Sequence, residues 1–209
     1  GNVCLEKTLR NALALREFMG ADFPVYAGAE KPLCRAPLDS SEFHGKEGLG
    51  PTSLPLPVTH AEPEPMWDAL YAAACRYAGE LEVVTLGPLT SLASAIAKYP
   101  DLPQKIRRVS LMGGAAVGGN CTPSAEFNIY ADPEAAQLVF RSGCRLVMCG
   151  LDVTLHAYLT EEELDTIAAS GDPGGVFLRD CSRDILKLNV AAGSGGWCVH
   201  DAVPVWHLV

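Results

Sequence analysis

The sequence predicts an α/β protein built on an open, mostly parallel sheet flanked by helices. Short apolar runs at 81–86, 108–112 and 145–149 alternate with longer segments of helical apolar spacing. That alternation is the pattern of parallel βαβ units. Each apolar run leads into glycine or polar residues, so the following loops should share the carboxyl edge of one sheet, where crevices form. The strongest helix start, Asp132-Pro133-Glu134, supplies an N-cap, a proline for the first helical position and an acid for the first turn. Everything just upstream of that cap is expected to be loop or strand end.

The elements follow in order. Leu5, Leu9, Ala12, Leu13 and Leu15 recur at helical spacing and predict a helix over 5–18. Phe23 to Tyr26 reads as a short strand closed by Ala27-Gly28. Pro32 to Pro65, rich in Pro, Gly, Ser and charge, reads as one long loop, and loops of that length are usually functional. Helix returns over 66–78, and Leu81 to Leu86 is a buried strand. A helix over Leu89 to Lys98 stops before Pro100. Arg108 to Met112 is the next strand, 133–142 the next helix, and Arg145 to Cys149 another strand. Thr160-x-x-Glu163 is a capping box opening a helix to Ser170. A further helix spans 174–188, and Val190 to Gly196 is a small-residue loop before His200.

At 209 residues with 48% apolar and 20% charged side chains, one domain with a sizeable core is expected. The net charge is −9 and no basic run exceeds Arg107-Arg108. That balance argues against nucleic-acid backbone binding. Apolar runs such as Leu146 to Leu151 are too short to span a bilayer, and Gly1 to Arg10 is too polar for a signal peptide. The eight cysteines include no C-x-x-C pair, so they read as reduced thiols packed as small hydrophobes in a cytoplasmic protein.

The richest stretch chemically is Ala125 to Ala136. It sets the carboxylate of Glu126 and the carboxamide of Asn128 two residues apart, before the Asp132 cap. Both could face a polyhydroxylated ligand, or both could be solvated residues of an approach loop. The glycines between Gly113 and Asn120 do not form G-x-G-x-x-G, and no G-x-x-x-x-G-K-[ST] occurs. They fit a tight turn close to a ligand better than a phosphate cradle.

Seven segments, in order and spacing over nearly the whole chain, resemble the inosine-uridine-preferring nucleoside hydrolases. They are GNVCLEKT at 1–8, PVYAGAEKPL at 24–33, HGKEGLG at 44–50, LGPLTSLA at 86–93, LMGGAAVGGNCTPSAEFNIYADPEAA at 111–136, GLDVT at 150–154 and HD at 200–201. The resemblance implies a Rossmann-like sheet and hydrolysis of the N-glycosidic bond of ribonucleosides to ribose and free base. The reaction would pass through an oxocarbenium-like transition state, attacked by a calcium-bound water. The implied calcium ligands are Asp201 and the backbone carbonyl of Leu86. The implied ribose contacts are Glu126 and Asn120 at the 5′-hydroxyl, Asn128 at the 2′-hydroxyl, Met112 against the sugar and Asn2 beside the diol. Phe127 would form an aromatic wall, His44 would lie on the base side, and His200 would protonate or stabilise the leaving base. Asp152 would support a strand end, and Ser91 replaces the Asn of the family's GPLTN. His60, His156 and His207 have no motif context and read as structural.

Members of the family carry an aspartate cluster, DxDxxxDD, ahead of the segment matching Gly1, and continue beyond the segment matching Asp201. Neither part occurs in this sequence, so 1–209 is expected to be a single nucleoside-hydrolase-like domain truncated at both ends. A second reading, from a different class, is a non-catalytic nucleoside- or sugar-binding module that kept the ribose contacts. The resemblance further implies a small ribonucleoside as partner and a homodimer or homotetramer.

Overall fold

The structure is a computed structural model that describes residues 2–208. Helix α1, Leu5–Phe18, opens the chain. A long irregular region follows, containing one short helix, α2, Ser41–His44. From α3, Met66–Arg76, the alternation begins. Strand β1, Leu81–Thr85, leads to α4, Thr90–Lys98, and to a single turn, α5, Leu102–Lys105. Strand β2, Ile106–Met112, is followed by α6, Phe127–Ala131, and α7, Pro133–Arg141. Strand β3, Leu146–Cys149, runs directly into α8, Leu151–Thr154. The remaining elements are β4 (Tyr158–Leu159), α9 (Glu161–Ala169), α10 (Pro173–Ala191), β5 (Trp197–Cys198) and α11 (Ala202–Trp206).

The three principal strands form a parallel sheet in the order β1-β2-β3. Val83 pairs with Val109, and Leu111 with Met148. Parallel pairing sends all three carboxyl ends to one edge, so Leu86, Gly113 and Gly150 open their loops side by side. The main core lies where α4 and α7 cover the sheet: Leu92, Ala93, Ile96, Val109, Leu111, Ala135 and Val139 are all buried together. Small alanines on both helices let them approach the sheet closely, and the leucines and valines fill the space between.

Two predicted caps form as the residues dictate. Asp132 is fully buried, and its Oδ1 accepts from the Ala135 amide at 3.1 Å. Its Oδ2 accepts from the Leu33 amide at 2.9 Å and the Thr90 hydroxyl at 2.6 Å. One carboxylate thus starts α7 and ties the long N-terminal loop to α4. Thr160 and Glu163 make the reciprocal capping box at α9.

Four expectations need correction. The segment upstream of Asp132 is helical, because Glu126 caps α6 with its side chain. Phe23 to Tyr26 is not a strand: it forms one isolated bridge, Tyr26 with Glu62. Pro24 donates no amide there and Phe23 stays exposed, so neither a ladder nor burial rewards extension. The 32–65 loop holds α2. Helix α10 runs to Ala191, past the predicted end at 188, and Trp197–Cys198 pairs antiparallel with β4. No helix among the described residues is long and apolar enough to cross a membrane, and all eight cysteines are free thiols.

Candidate active site

The site grows from the edge where β1, β2 and β3 end. Glu126 is buried, at 3% exposure, and its carboxylate faces backbone amides. Oε1 accepts from Asn128 at 2.9 Å; Oε2 accepts from Ile129 at 3.1 Å and from Gly114 at 2.9 Å. The first two bonds cap α6, and the third pins the glycine turn after β2 onto it. A carboxylate offers about four acceptor positions. Three are filled by the protein, which leaves one on Oε1 for a ligand hydroxyl.

Asn128, also buried, donates through Nδ2 to the Met112 carbonyl at 3.1 Å and lies 3.3 Å from the Met112 sulfur. Its Oδ1 accepts nothing from the described residues and remains an open acceptor. Asn120 is exposed, and its Oδ1 accepts from the Phe127 amide at 2.9 Å. Asn120 therefore closes the 113–126 loop over the start of α6, and Phe127 stands half-buried at that closure.

The turn after β3 locks the same loop from the other side. Leu151 N–H donates to the Gly114 carbonyl at 2.9 Å, and Ala116 N–H donates to Asp152 Oδ1 at 3.0 Å. The supporting role expected of Asp152 is this bond. At the end of the same helical turn lies a residue the sequence reading passed over. The hydroxyl of Thr154, fully buried, sits 2.7 Å from His200 Nδ1. The signal was present in GLDVT, whose threonine follows Asp152 by two residues.

His200 and Asp201 lie between β5 and α11. Burial pushes the His200 ring below the ordinary imidazole range, and the nearby His44 adds to the shift. Burial likewise lowers His44. These two histidines, far apart in sequence, therefore share one electrostatic neighbourhood. Asp201 keeps a face exposed to solvent although protein surrounds much of its carboxyl, and it forms no ion pair or side-chain hydrogen bond among the described residues. Burial first, and the Glu126 carboxylate second, push its carboxyl up to about 6. The Asp201 and Glu126 carboxylates thus share one electrostatic neighbourhood.

The Asp201 carboxyl protonates more readily folded than unfolded, since its ordinary value lies near pH 4. Its cost to the fold is absent below about pH 4 and complete above about pH 6. Asp201→Asn should therefore stabilise the metal-free chain at pH 7 by about 1 kcal/mol, discounted for solvent exposure, and change nothing at pH 3.5. Thermal melts of both forms at the two pH values check this.

His44 is held by the loop 44–50. Asn11 Nδ2 donates to the Glu47 carbonyl at 2.7 Å, and Arg10 pairs with the Glu47 carboxylate at 2.7 Å. Gly45 and Gly50 have φ of 77° and 60°. A methyl group on Gly45 would strike the Gly50 carbonyl, and one on Gly50 the Cys181 carbonyl of α10. The loop is thus moulded to α1 on one side and α10 on the other. Asn2 is half-buried, and its carbonyl accepts from the Ser40 amide at 2.9 Å, bringing the N-terminal residues to the start of α2. A separate cavity of about 190 Å³ lies between α1 and residues 47–56, and none of the site residues line it.

A metal here would meet oxygen donors of the right kind but too few. The Leu86 carbonyl accepts no hydrogen bond among the described residues, and Asp201 is unpaired. Calcium takes about six to eight oxygens. The described residues hold no cluster of three or more His, Cys, Asp or Glu able to close a shell. One carboxylate and one carbonyl do not bind that ion by themselves.

Comparison with known proteins gives a consistent answer. The family model described as inosine-uridine preferring nucleoside hydrolase matches residues 1–209. The non-specific ribonucleoside hydrolase RihC of Escherichia coli K12 is 46% identical over 170 residues, covering 80% of this chain and 55% of that protein. The RihC of Escherichia fergusonii is also 46% identical, over 167 residues. The chain thus spans about half the length of the curated relatives it matches. Among solved structures, a purine-preferring ribonucleoside hydrolase from Gardnerella vaginalis superposes with a TM-score of 0.94 at 34% identity, covering 98% of this chain and 67% of that one. A plant nucleoside hydrolase, PpNRh1, superposes with a TM-score of 0.90 at 32% identity over 98% of this chain and 66% of that one. With its sheet edge, its Glu126–Asn128 block and its His200-Asp201 pair in these positions, the chain belongs to the inosine-uridine-preferring nucleoside hydrolase family.

Proposed function

We propose that the protein hydrolyses the N-glycosidic bond of ribonucleosides, releasing ribose and free base. The observation that carries this reading is the convergence at one sheet edge. Glu126 and Asn128 bring open acceptors to it, Leu86 brings an open carbonyl, and Asp201 feels the charge of Glu126. Such an edge suits a ribose: Glu126 Oε1 takes the 5′-hydroxyl with Asn120 beside it, and Asn128 Oδ1 takes the 2′-hydroxyl. Met112 supports the sugar face, Phe127 walls the pocket, and Asn2 borders the diol. His44 and His200 occupy the side of the leaving base. As the bond breaks, the ribosyl carbon gains positive charge and the base gains negative charge. The carboxylates of Glu126 and Asp201 favour the first, and His200, donating a proton or a hydrogen bond, relieves the second.

Were calcium bound, Asp201 and the Leu86 carbonyl would be the oxygens this chain offers it, and further oxygens would have to complete the shell. The resemblance carries the homodimeric or homotetrameric state and the cytoplasmic setting into the same proposal, and also the treatment of 1–209 as one domain.

The test is hydrolysis of inosine and uridine by the intact enzyme. Activity should vanish on chelation, return with calcium, and fail to return in Asp201→Ala. Binding of nucleoside without turnover, before or after added calcium, would instead favour the non-catalytic binding module.

A further inference from the structure

We propose that Thr154 is a positioning residue that fixes His200 in the tautomer carrying its hydrogen on Nε2. The proposal rests on the reading of His200 as the group facing the leaving base. It starts from the 2.7 Å contact between Thr154 Oγ1 and His200 Nδ1, in which either atom could be the donor. Thr154 is fully buried, and its hydroxyl has no other hydrogen-bond partner among the described residues. If Nδ1 carried the hydrogen, it would donate to Oγ1, and the hydroxyl hydrogen would be left without an acceptor in a buried place. If the hydroxyl donates to a bare Nδ1, both groups are satisfied. Buried polar hydrogens are rarely left unpaired, so the second arrangement holds.

The consequence lies on the other side of the ring. With Nδ1 accepting, the neutral imidazole must carry its hydrogen on Nε2, the nitrogen facing away from Thr154. His200 then presents a donor without needing a second proton. The opposite tautomer would present a lone pair to a base that is gaining electrons, which is repulsive. Thr154 is itself well held. It ends α8, whose first residue, Leu151, is bonded to Gly114 and whose Asp152 is bonded to Ala116. One helical turn thus orients the histidine and secures the loop beside the ribose.

The direct test is nitrogen-15 NMR of the histidine rings in this chain, with His200 assigned by its loss in His200→Ala. In the wild type, Nδ1 of His200 should resonate as an unprotonated nitrogen and Nε2 as a protonated one. Thr154→Ser, which keeps the hydroxyl, should preserve that pattern. Thr154→Val, close in shape but without the hydroxyl, should mix the tautomers. In the intact enzyme, Thr154→Val should lower kcat on inosine by part of the roughly 10²–10⁴-fold that a positioned acid supplies, with KM little changed. Thr154→Ser should restore most of it. A wild-type ring protonated at Nδ1 would overturn the proposal, as would a folded Thr154→Val with an unchanged ring spectrum. If the tautomer is as stated while His200→Ala turns over inosine normally, Thr154 still positions the ring, and it is the role of His200 that fails.

Discussion

His200→Ala is expected to slow inosine hydrolysis by about 10²–10⁴-fold, the usual contribution of a positioned acid, while barely touching p-nitrophenyl riboside. The contrast follows from the leaving groups. A purine leaves poorly as an anion and needs a donor on its ring nitrogen, whereas p-nitrophenolate leaves without help. The depressed pKa of His200, caused by burial and by His44, keeps most of the ring neutral at pH 7. In the proposed reaction it would therefore serve the base largely as a neutral donor. A merely structural histidine would depress both substrates together and lower the melting temperature. Equal losses on the two substrates would remove His200 from the chemistry.

Glu126→Ala carries the second large effect, because it acts on fold and site at once. The change strips acceptors from the amides of Gly114, Asn128 and Ile129. Bonds to a charged acceptor contribute about 1.5–3 kcal/mol each, and water entering the gap recovers part of that. A loss of about 3 kcal/mol in unfolding free energy is expected, measurable by urea titration. Glu126→Gln keeps one carbonyl acceptor and should lose about half as much. For the ribose contact, 5′-deoxynucleosides should cost the wild type about 1.5–3 kcal/mol in kcat/KM and cost Glu126→Ala little more. If the two losses simply add, Glu126 does not meet that hydroxyl.

The sequence was a good guide wherever the signal was local or periodic. The three strands, the helices around them, the Asp132 cap and the Thr160–Glu163 box depend on neighbours within one helical turn or on alternating burial. They are found within a few residues of their expected bounds. The misreadings share a different cause. Helix α6 is five residues long and starts from a glutamate, an uncommon cap, so neither length nor cap residue announced it. Its stability comes from Glu126 reaching two amides ahead and Gly114 twelve residues behind. Phe23–Tyr26 has strand-like residues, but its pairing goes no further than the single bridge from Tyr26 to Glu62. The two-residue strands β4 and β5 are fixed by contact across about forty residues, at Tyr158 and Cys198. The resemblance supplied the site residues and their roles, yet Thr154 was missed because its importance lies in a contact 46 residues away.

The moulded loop at 44–50 has a consequence for anyone wishing to re-engineer the segment that carries His44. Randomising that loop in full would be wasteful, since any side chain at Gly45 or Gly50 collides with main chain that cannot step aside. Asn11 and Glu47 form its fastening to α1 and should likewise be kept. Variation should begin after Gly50, on the stretch from Thr52 to Leu56, where Leu56 is 77% exposed. A library built this way would leave intact the backbone that carries His44.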